Sequence, residues 1–147
     1  MNNKKLNEKR LWKLISQHQL AIIELEDIET DGKTDEEIAI IKSIRQECVD
    51  LYKRDLIELA KGSQFSYSVA LYLLKNGLKV SRSGWGWNGT SVYLQVQFPD
   101  ENSKMTLPYI YMVKRVIADD GSYITKYFPC PTSDEINFAN DWILSEA

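Results

Sequence analysis

The 147-residue chain has a single histidine, His18, and only two cysteines, Cys48 and Cys130. One histidine leaves no Ser-His-Asp set to build and no histidine-rich metal cluster. The cysteines stand far apart and form no metal-ligand spacing. There is no long apolar run, no secretory leader and no phosphate-cradling lysine loop. The expectation is therefore a cytoplasmic protein with reduced thiols, no membrane partner, no metal and no cofactor. Asn88-Gly89-Thr90 is a formal glycosylation sequon without a secretory context. Basic excess is missing too. A net charge of −3 and a pI near 5.2 argue against a general nucleic-acid binder. Repeats and low-complexity tracts are also absent.

What remains divides in two. From Leu6 to about Glu29, apolar residues recur at helical spacing: Leu11, Leu14, His18, Ala21, Leu25 and Ile28, with Ile15 and Ile22 beside them. His18 reads as a polar member of that seam and not as a ligand. Thr30-Asp31-Gly32-Lys33 is a turn, and Thr34-x-x-Glu37 is a capping box that opens a second helix. Its stripe is Ile41, Ile44, Cys48, Tyr52, Leu56 and Leu59, with Cys48 as a small core hydrophobe and Leu51 and Ile57 on the flanks. Residues 1–62 are thus expected to form an antiparallel helical hairpin. Two helices alone cannot bury stripes of that width, so the hairpin must pack on the C-terminal domain or on copies of itself, and a symmetric homo-oligomer is the commonest solution.

Residues 63–147 read as a small α+β domain with a mostly antiparallel, twisted sheet and short helices. Ser68 is a candidate cap for a helix to Lys75, closed by Gly77. Leu78–Arg82 reads as a strand. In the next run Val92, Leu94, Val96 and Phe98 should face the core while Tyr93, Gln95 and Gln97 face water. Tyr109–Ile117 and Ser122–Phe128 flank the Asp119-Asp120-Gly121 turn as a hairpin, and Pro129-Cys130-Pro131 ends it. Thr132-x-x-Glu135 should cap a helix to about Asn140, before a last edge strand at Trp142-Ile143-Leu144.

The most unusual stretch is Arg82-Ser83-Gly84-Trp85-Gly86-Trp87-Asn88-Gly89, which holds two of the chain's four tryptophans. Gly84-x-Gly86-x-x-Gly89 matches the dinucleotide fingerprint literally. That motif needs a helix opening inside it, and here a strand-like run follows. Asn-Gly is instead a hairpin-turn signal. Indole faces and a guanidinium at one turn suit a ligand with a flat base and a phosphate. The plainer alternative is a pair of hairpin aromatics that pack only locally.

Several short motifs keep a common order and spacing. They are Tyr67-Ser68-x-Ala70, Leu73-Leu74-Lys75-x-Gly77-x-x-Val80-x-Arg82-x-Gly84-Trp85, Trp87-Asn88-Gly89, Tyr109-Ile110-x-Met112, and Pro129 through Ser133 ending in Ala139-x-Asp141-Trp142. Over roughly residues 65–147 this pattern resembles the Thoeris anti-defence two (Tad2) family of phage and prophage proteins. The resemblance implies a non-enzymatic sponge in the infected bacterial host. Such a protein binds the cyclic ADP-ribose signal made by a TIR-domain protein, holds it uncleaved, and keeps the effector silent. Some relatives hold cyclic oligonucleotides. The resemblance also implies a homo-oligomer, a tetramer, with pockets where subunits meet. The chain departs from the pattern in three places. It has Gly84-Trp85-Gly86-Trp87-Asn88-Gly89 where the family has Gly-Trp-Asn-Gly, so the family tryptophan is Trp85 or Trp87, and the Asn-Gly turn favours Trp87. Cys130 stands where a tryptophan is frequent, with Phe128 as a possible replacement wall. Ile136 stands where the family is acidic, with Asp134 and Glu135 just before it.

A sponge needs stacking and charge-assisted bonds without an activated nucleophile. The candidate ligand-binding residues are Trp87 and Trp85 for stacking, Arg82 for phosphate, Asn88 for a polar edge and Asp134 for a ribose hydroxyl. Tyr109 and Met112 are candidate pocket walls, although sheet core is their plainer reading. No catalytic residue is expected. Two other classes compete: a protein–protein adaptor acting through the helical hairpin, and a nucleotide-processing enzyme built on Asp134, Glu135 and Asp141.

Overall fold

A computed structural model describes residues 3–85, 91–130 and 133–145, with the side chains of 3–6 and 134–135 left aside. The chain forms two compact units, Met1–Gly62 and Ser63–Ala147.

The first unit is two helices, α1 (Asn3–Glu26) and α2 (Asp35–Lys61), joined by a turn in which the Lys33 N–H donates to the Thr30 carbonyl. The capping box forms as its spacing requires. Thr34 Oγ1 accepts from the Glu37 N–H at 3.1 Å, and Glu37 Oε1 accepts from the Thr34 N–H at 3.3 Å. Such a cap contributes about 1 kcal/mol. Leu11, Ile15, His18 and Ala21 are buried on α1; Val49, Leu56 and Ala60 are buried on α2. The α2 stripe therefore differs from the expected one. Ile44 and Cys48 are exposed, and Val49 and Ala60 take the inner line. Arg45 gives the reason. Its guanidinium donates to the carbonyls of Glu24 and Asp27, which satisfies the orphan acceptors at the end of α1. Arg45 and Val49, one turn apart, share the line that meets α1, and Ile44 and Cys48 fall to its sides. The first helix also stops at Glu26, three residues before the expected Glu29.

The second unit is α+β, as the sequence predicts. Helix α3 (Tyr67–Lys75) is followed by β1 (Val80–Arg82), β2 (Ser91–Gln97), β3 (Tyr109–Ile117), β4 (Tyr123–Pro129), the single turn α4 (Asp134–Asn137) and β5 (Trp142–Leu144). All strand pairs are antiparallel in the order β4-β3-β2-β1-β5, so Trp142–Leu144 is an edge strand as expected. The α3 cap is Ser66, not Ser68. Its Oγ accepts from the Val69 N–H, because the chain leaves the Phe65–Trp142 bridge two residues earlier than the apolar run suggests. Gly77, at φ 82°, closes the helix just past the cap residue Asn76. Ser133 Oγ accepts from the Ile136 N–H and starts α4, while the expected cap Thr132 lies outside the described residues. The helix ends at Asn137, short of Asn140.

The register gives the sheet two faces. Val80, Leu94, Val96, Ile110, Met112, Phe128 and Trp142 share one; Tyr93, Tyr109, Tyr111, Val113 and Tyr127 share the other. Helix α3 packs on the first face through Val69, Ala70, Leu73 and Leu74, all buried. The expected wet side of β2 is corrected here. Tyr93 is buried beneath the Lys79 ammonium, 4.9 Å above its ring, and Phe98 is exposed beyond the strand's end. A central strand loses water on both sides at its middle, which simple alternation does not anticipate. Among the described residues no helix is long and apolar enough to cross a membrane.

His18 is buried, and burial followed by the Lys53 charge lowers its pKa from the usual 6.5. A histidine depressed in the folded state is neutral in both states above about pH 6.5. Below that the unfolded chain takes up a proton that the folded one refuses. Stability is then lost by up to about 1.4 kcal/mol per pH unit, until the folded pKa is reached. Melting temperatures between pH 7.5 and 5.5 should fall more steeply for the wild type than for His18→Leu.

Candidate functional site

β1 delivers Arg82 into a tight turn. The Trp85 N–H donates to the Arg82 carbonyl at 3.0 Å, and Gly84 sits at φ 90°. That positive φ at the third turn position is where glycine is needed. Residues 86–90 follow, so Trp87 and Asn88 lie outside the described residues, as does the side chain of Asp134.

Trp85 and Arg82 come together, but both are held by neighbours in the fold. The Trp85 ring meets Trp142 edge-on, at 5.4 Å between centroids and 76° between planes. Arg82 Nε and Nη2 donate to the two oxygens of Asp141 at 2.9 and 3.3 Å. The Ser83 N–H adds a bond to the Asp141 carbonyl at 2.9 Å. Asp141 is thus committed to a guanidinium and is not a ready general base. Trp142 is fully buried, as expected of a core anchor, and its Nε1–H donates to the Ile136 carbonyl at 3.3 Å. Ile136, at the position where the family pattern is acidic, is itself buried.

Two cavities open on the sheet unit. One, of about 700 Å³, lies between α3 and the sheet, with Tyr67, Leu74, Lys75, Val96, Ile110 and Cys130 among its walls. Tyr67 connects it to the turn, since its ring lies 5.1 Å from that of Trp142. Burial raises the pKa of both Tyr67 and Cys130, and the two side chains are hydrogen-bonded. Cys130 here is a protonated wall residue, smaller than an indole.

The other cavity, of about 730 Å³, lies along the opposite edge of the sheet. Tyr109, Tyr111 and Tyr127 line it, with ring centroids 6.2 and 6.0 Å apart, together with Gln97 and Met105. Burial, then the neighbouring tyrosines, raises the Tyr111 pKa, so its hydroxyl stays a donor. Both volumes fall in the usual range for small-molecule sites. Tyr109 lines both cavities. Met112 is half-buried on the α3 face, opposite Leu94 and Phe128, and lines neither. Arg82 and Trp85 line neither cavity as well.

Sequence reasoning missed Tyr111, Tyr127 and the Arg82–Asp141 pair. The tyrosines were within reach of a register count. Alternation puts Tyr109 and Tyr111 on one face, and the turn at Asp119–Gly121 sets Tyr127 across from Val113 beside them. Nothing local signals a pair separated by 59 residues. Among the described residues no group of His, Cys, Asp and Glu could hold a metal ion.

A family model for the Thoeris anti-defense 2-like (Tad2-like) domain matches residues 65–145. No curated protein matches the chain.

The Arg82–Asp141 pair is partly shielded, with side-chain exposures of 18% and 35%. Asp141→Ala should lower stability by about 1–3 kcal/mol, more than a surface pair would, because it removes a two-oxygen acceptor from a sheltered guanidinium. Urea unfolding followed by tryptophan fluorescence measures this.

Proposed function

The chain belongs to the Tad2-like family, an anti-defence family directed against Thoeris, and on that premise we propose that it sequesters a cyclic nucleotide immune signal, a cyclic ADP-ribose isomer, without cleaving it. The family match carries this reading, and it names no enzymatic family. The chemistry of the sheet unit is compatible with it. Clustered aromatic rings, protonated tyrosine hydroxyls and open cavities suit flat polar ligands, and stacking of a base on such a ring contributes roughly 1–3 kcal/mol. Trp87, Trp85, Arg82, Asn88 and Asp134 are the proposed contacts at the turn, with Tyr109 and Met112 as proposed walls. Tyr111 and Tyr127 join them on geometry. The protein acts as a homo-oligomer in the cytoplasm of the infected host.

Protein incubated with a panel of cyclic nucleotides, washed and heated should release one of them intact by mass spectrometry. Retention should correspond to a roughly nanomolar Kd, about −12 kcal/mol. Recovery of linear ADP-ribose or mononucleotides would identify an enzyme instead. In calorimetry Trp87→Ala should weaken binding by roughly 1–3 kcal/mol with the fold intact. Trp85→Ala should also lower the melting temperature, since its ring packs on Trp142. Full binding by both variants would make the aromatic turn structural.

A second reading has its own observation. Ile40, Ile44, Cys48 and Leu51 lie at 4-4-3 spacing on α2 and are all exposed, a stripe suited to another protein surface. An adaptor would act through this stripe. We assign ligand binding to residues 63–147, and to the hairpin of residues 1–62 the reinforcement or alteration of an assembly that also runs through the sheet unit. A chain truncated to 63–147 should then keep nucleotide affinity within a few-fold in the same calorimetric titration. Loss of binding by a folded truncated chain would place part of the site in the hairpin.

A further inference from the structure

β4 is an edge strand, and among the described residues nothing pairs with its outer side. Edge strands are usually blunted by charge, proline or bulges. This one is not. All seven residues from Tyr123 to Pro129 are exposed, and Tyr123, Ile124, Tyr127 and Phe128 put large apolar groups on both faces. Lys126 is its one charge, and Pro129 comes only at its end.

The hairpin turn determines which backbone groups point outward. The Ala118 N–H donates to the Ser122 carbonyl at 2.7 Å, so 118 and 122 form a hydrogen-bonded pair. With the register Ile117↔Tyr123 through Tyr111↔Pro129, residues 124, 126 and 128 turn their N–H and C=O groups toward β3. Tyr123, Thr125 and Tyr127 turn theirs away from the sheet.

We propose that β4 pairs antiparallel with β4 of a second copy of this chain, about a two-fold axis at Thr125. The proposal names one interface of the homo-oligomer proposed above. Thr125 is the midpoint of the outward-facing set. Centring there opposes Thr125 to Thr125 and Tyr123 to the partner's Tyr127, and uses every outward donor in about six hydrogen bonds. Pro129, which has no N–H, falls outside the ladder. A centre at Tyr127 would instead oppose Thr125 to the partner's Pro129 and lose a donor. A centre at Lys126 would set the two Lys126 side chains directly opposite each other in a closely spaced non-hydrogen-bonded pair, where like charges repel. Threonine pairs and aromatic pairs at opposed positions are both favourable.

The pairing also changes the tyrosine cavity. Tyr127 is 68% exposed at its outer wall. The partner's Tyr123 would stand directly across from it. In each chain the Arg115 guanidinium lies 5.0 Å over the Tyr123 ring. The aromatic row Tyr109–Tyr111–Tyr127 thus gains a ring and a cation from the second copy. That supplies the positive charge the cavity lacks among its own walls.

Light scattering on the full chain, without nucleotide, should give a multiple of the 17.0 kDa protomer. Thr125→Pro should halve that mass and leave the far-UV spectrum unchanged, since residue 125 donates nothing to β3. In a Cys48→Ser background, Thr125→Cys should give a covalent dimer linked 125 to 125 on mild oxidation or with a short bismaleimide. The opposed Cα atoms would lie about 5.5 Å apart. A wild-type protein of protomer mass overturns the proposal. So does an oligomer that yields no 125–125 link, and that result leaves the homo-oligomer reading standing. The cross-link decides if Thr125→Pro fails to fold. Nucleotide retention is measured separately, so failure of sequestration and failure of the edge pairing are told apart.

Discussion

Trp142 is the residue on which the sheet unit depends. Its backbone exchanges bonds with Phe65 at 2.9 and 3.1 Å, tying the start of the unit to its end. Its strand pairs with β1, placing it beside Arg82. Its indole is fully buried between Tyr67 on one side and Trp85 on another, and its N–H is satisfied by the Ile136 carbonyl. Three segments separated along the chain, at Tyr67, Trp85 and Ile136, thus meet at one side chain. A buried indole carries a large apolar area and one obligatory donor, so it works only where both are met at once. The Arg82–Asp141 pair lies immediately beside it and fixes the last turn of the approach to β5.

That hub bears on what the aromatic turn can do. An indole free at a hairpin tip must be ordered when a ligand arrives, at a cost in side-chain entropy. Trp85 is already ordered by its edge contact with Trp142, and Arg82 by its two bonds to Asp141. A sponge gains from such preorganisation, because tight retention depends on losing little freedom at binding. The same bonds work against catalysis. The carboxylate nearest the turn is neutralised by a guanidinium, and the tyrosines with shifted pKa values are shifted upward, toward the protonated form.

The legible parts of this chain are those governed by local rules. Thr34 and Glu37 stand three apart before an apolar run, and the capping box follows from chain geometry alone. Asp119-Asp120-Gly121 sits between two β-rich runs, and β3 matches the expected span. The errors arose where a distant partner decided the outcome. Ile44 and Cys48 fit a helical stripe as well as Val49 does, and only Arg45 reaching the end of α1 selects between them. Tyr93 reads as a wet residue until β1 and β3 flank it and Lys79 covers its ring. Ser66 and Ser68 are both plausible caps, and the bridge from Phe65 to Trp142 selects Ser66. At the candidate site the same division holds. The aromatic turn was visible as composition, whereas the tyrosine row needed strand register and the Arg82–Asp141 pair needed the whole topology.

Tyr109 shows how the two faces of the sheet are linked. It begins β3, a strand with neighbours on both sides in the ladder, and with Ile110 it lines the cavity under α3 as well as the tyrosine cavity. Substitution there cannot be confined to one cavity. Tyr111 and Tyr127 differ, because they belong to one face by register and line only the tyrosine cavity. Tyr67 and Cys130 line only the other. The sheet therefore offers independent handles on each cavity, and Tyr109 and Ile110 couple them. This follows from where alternation begins in β3, independent of which ligand either cavity holds.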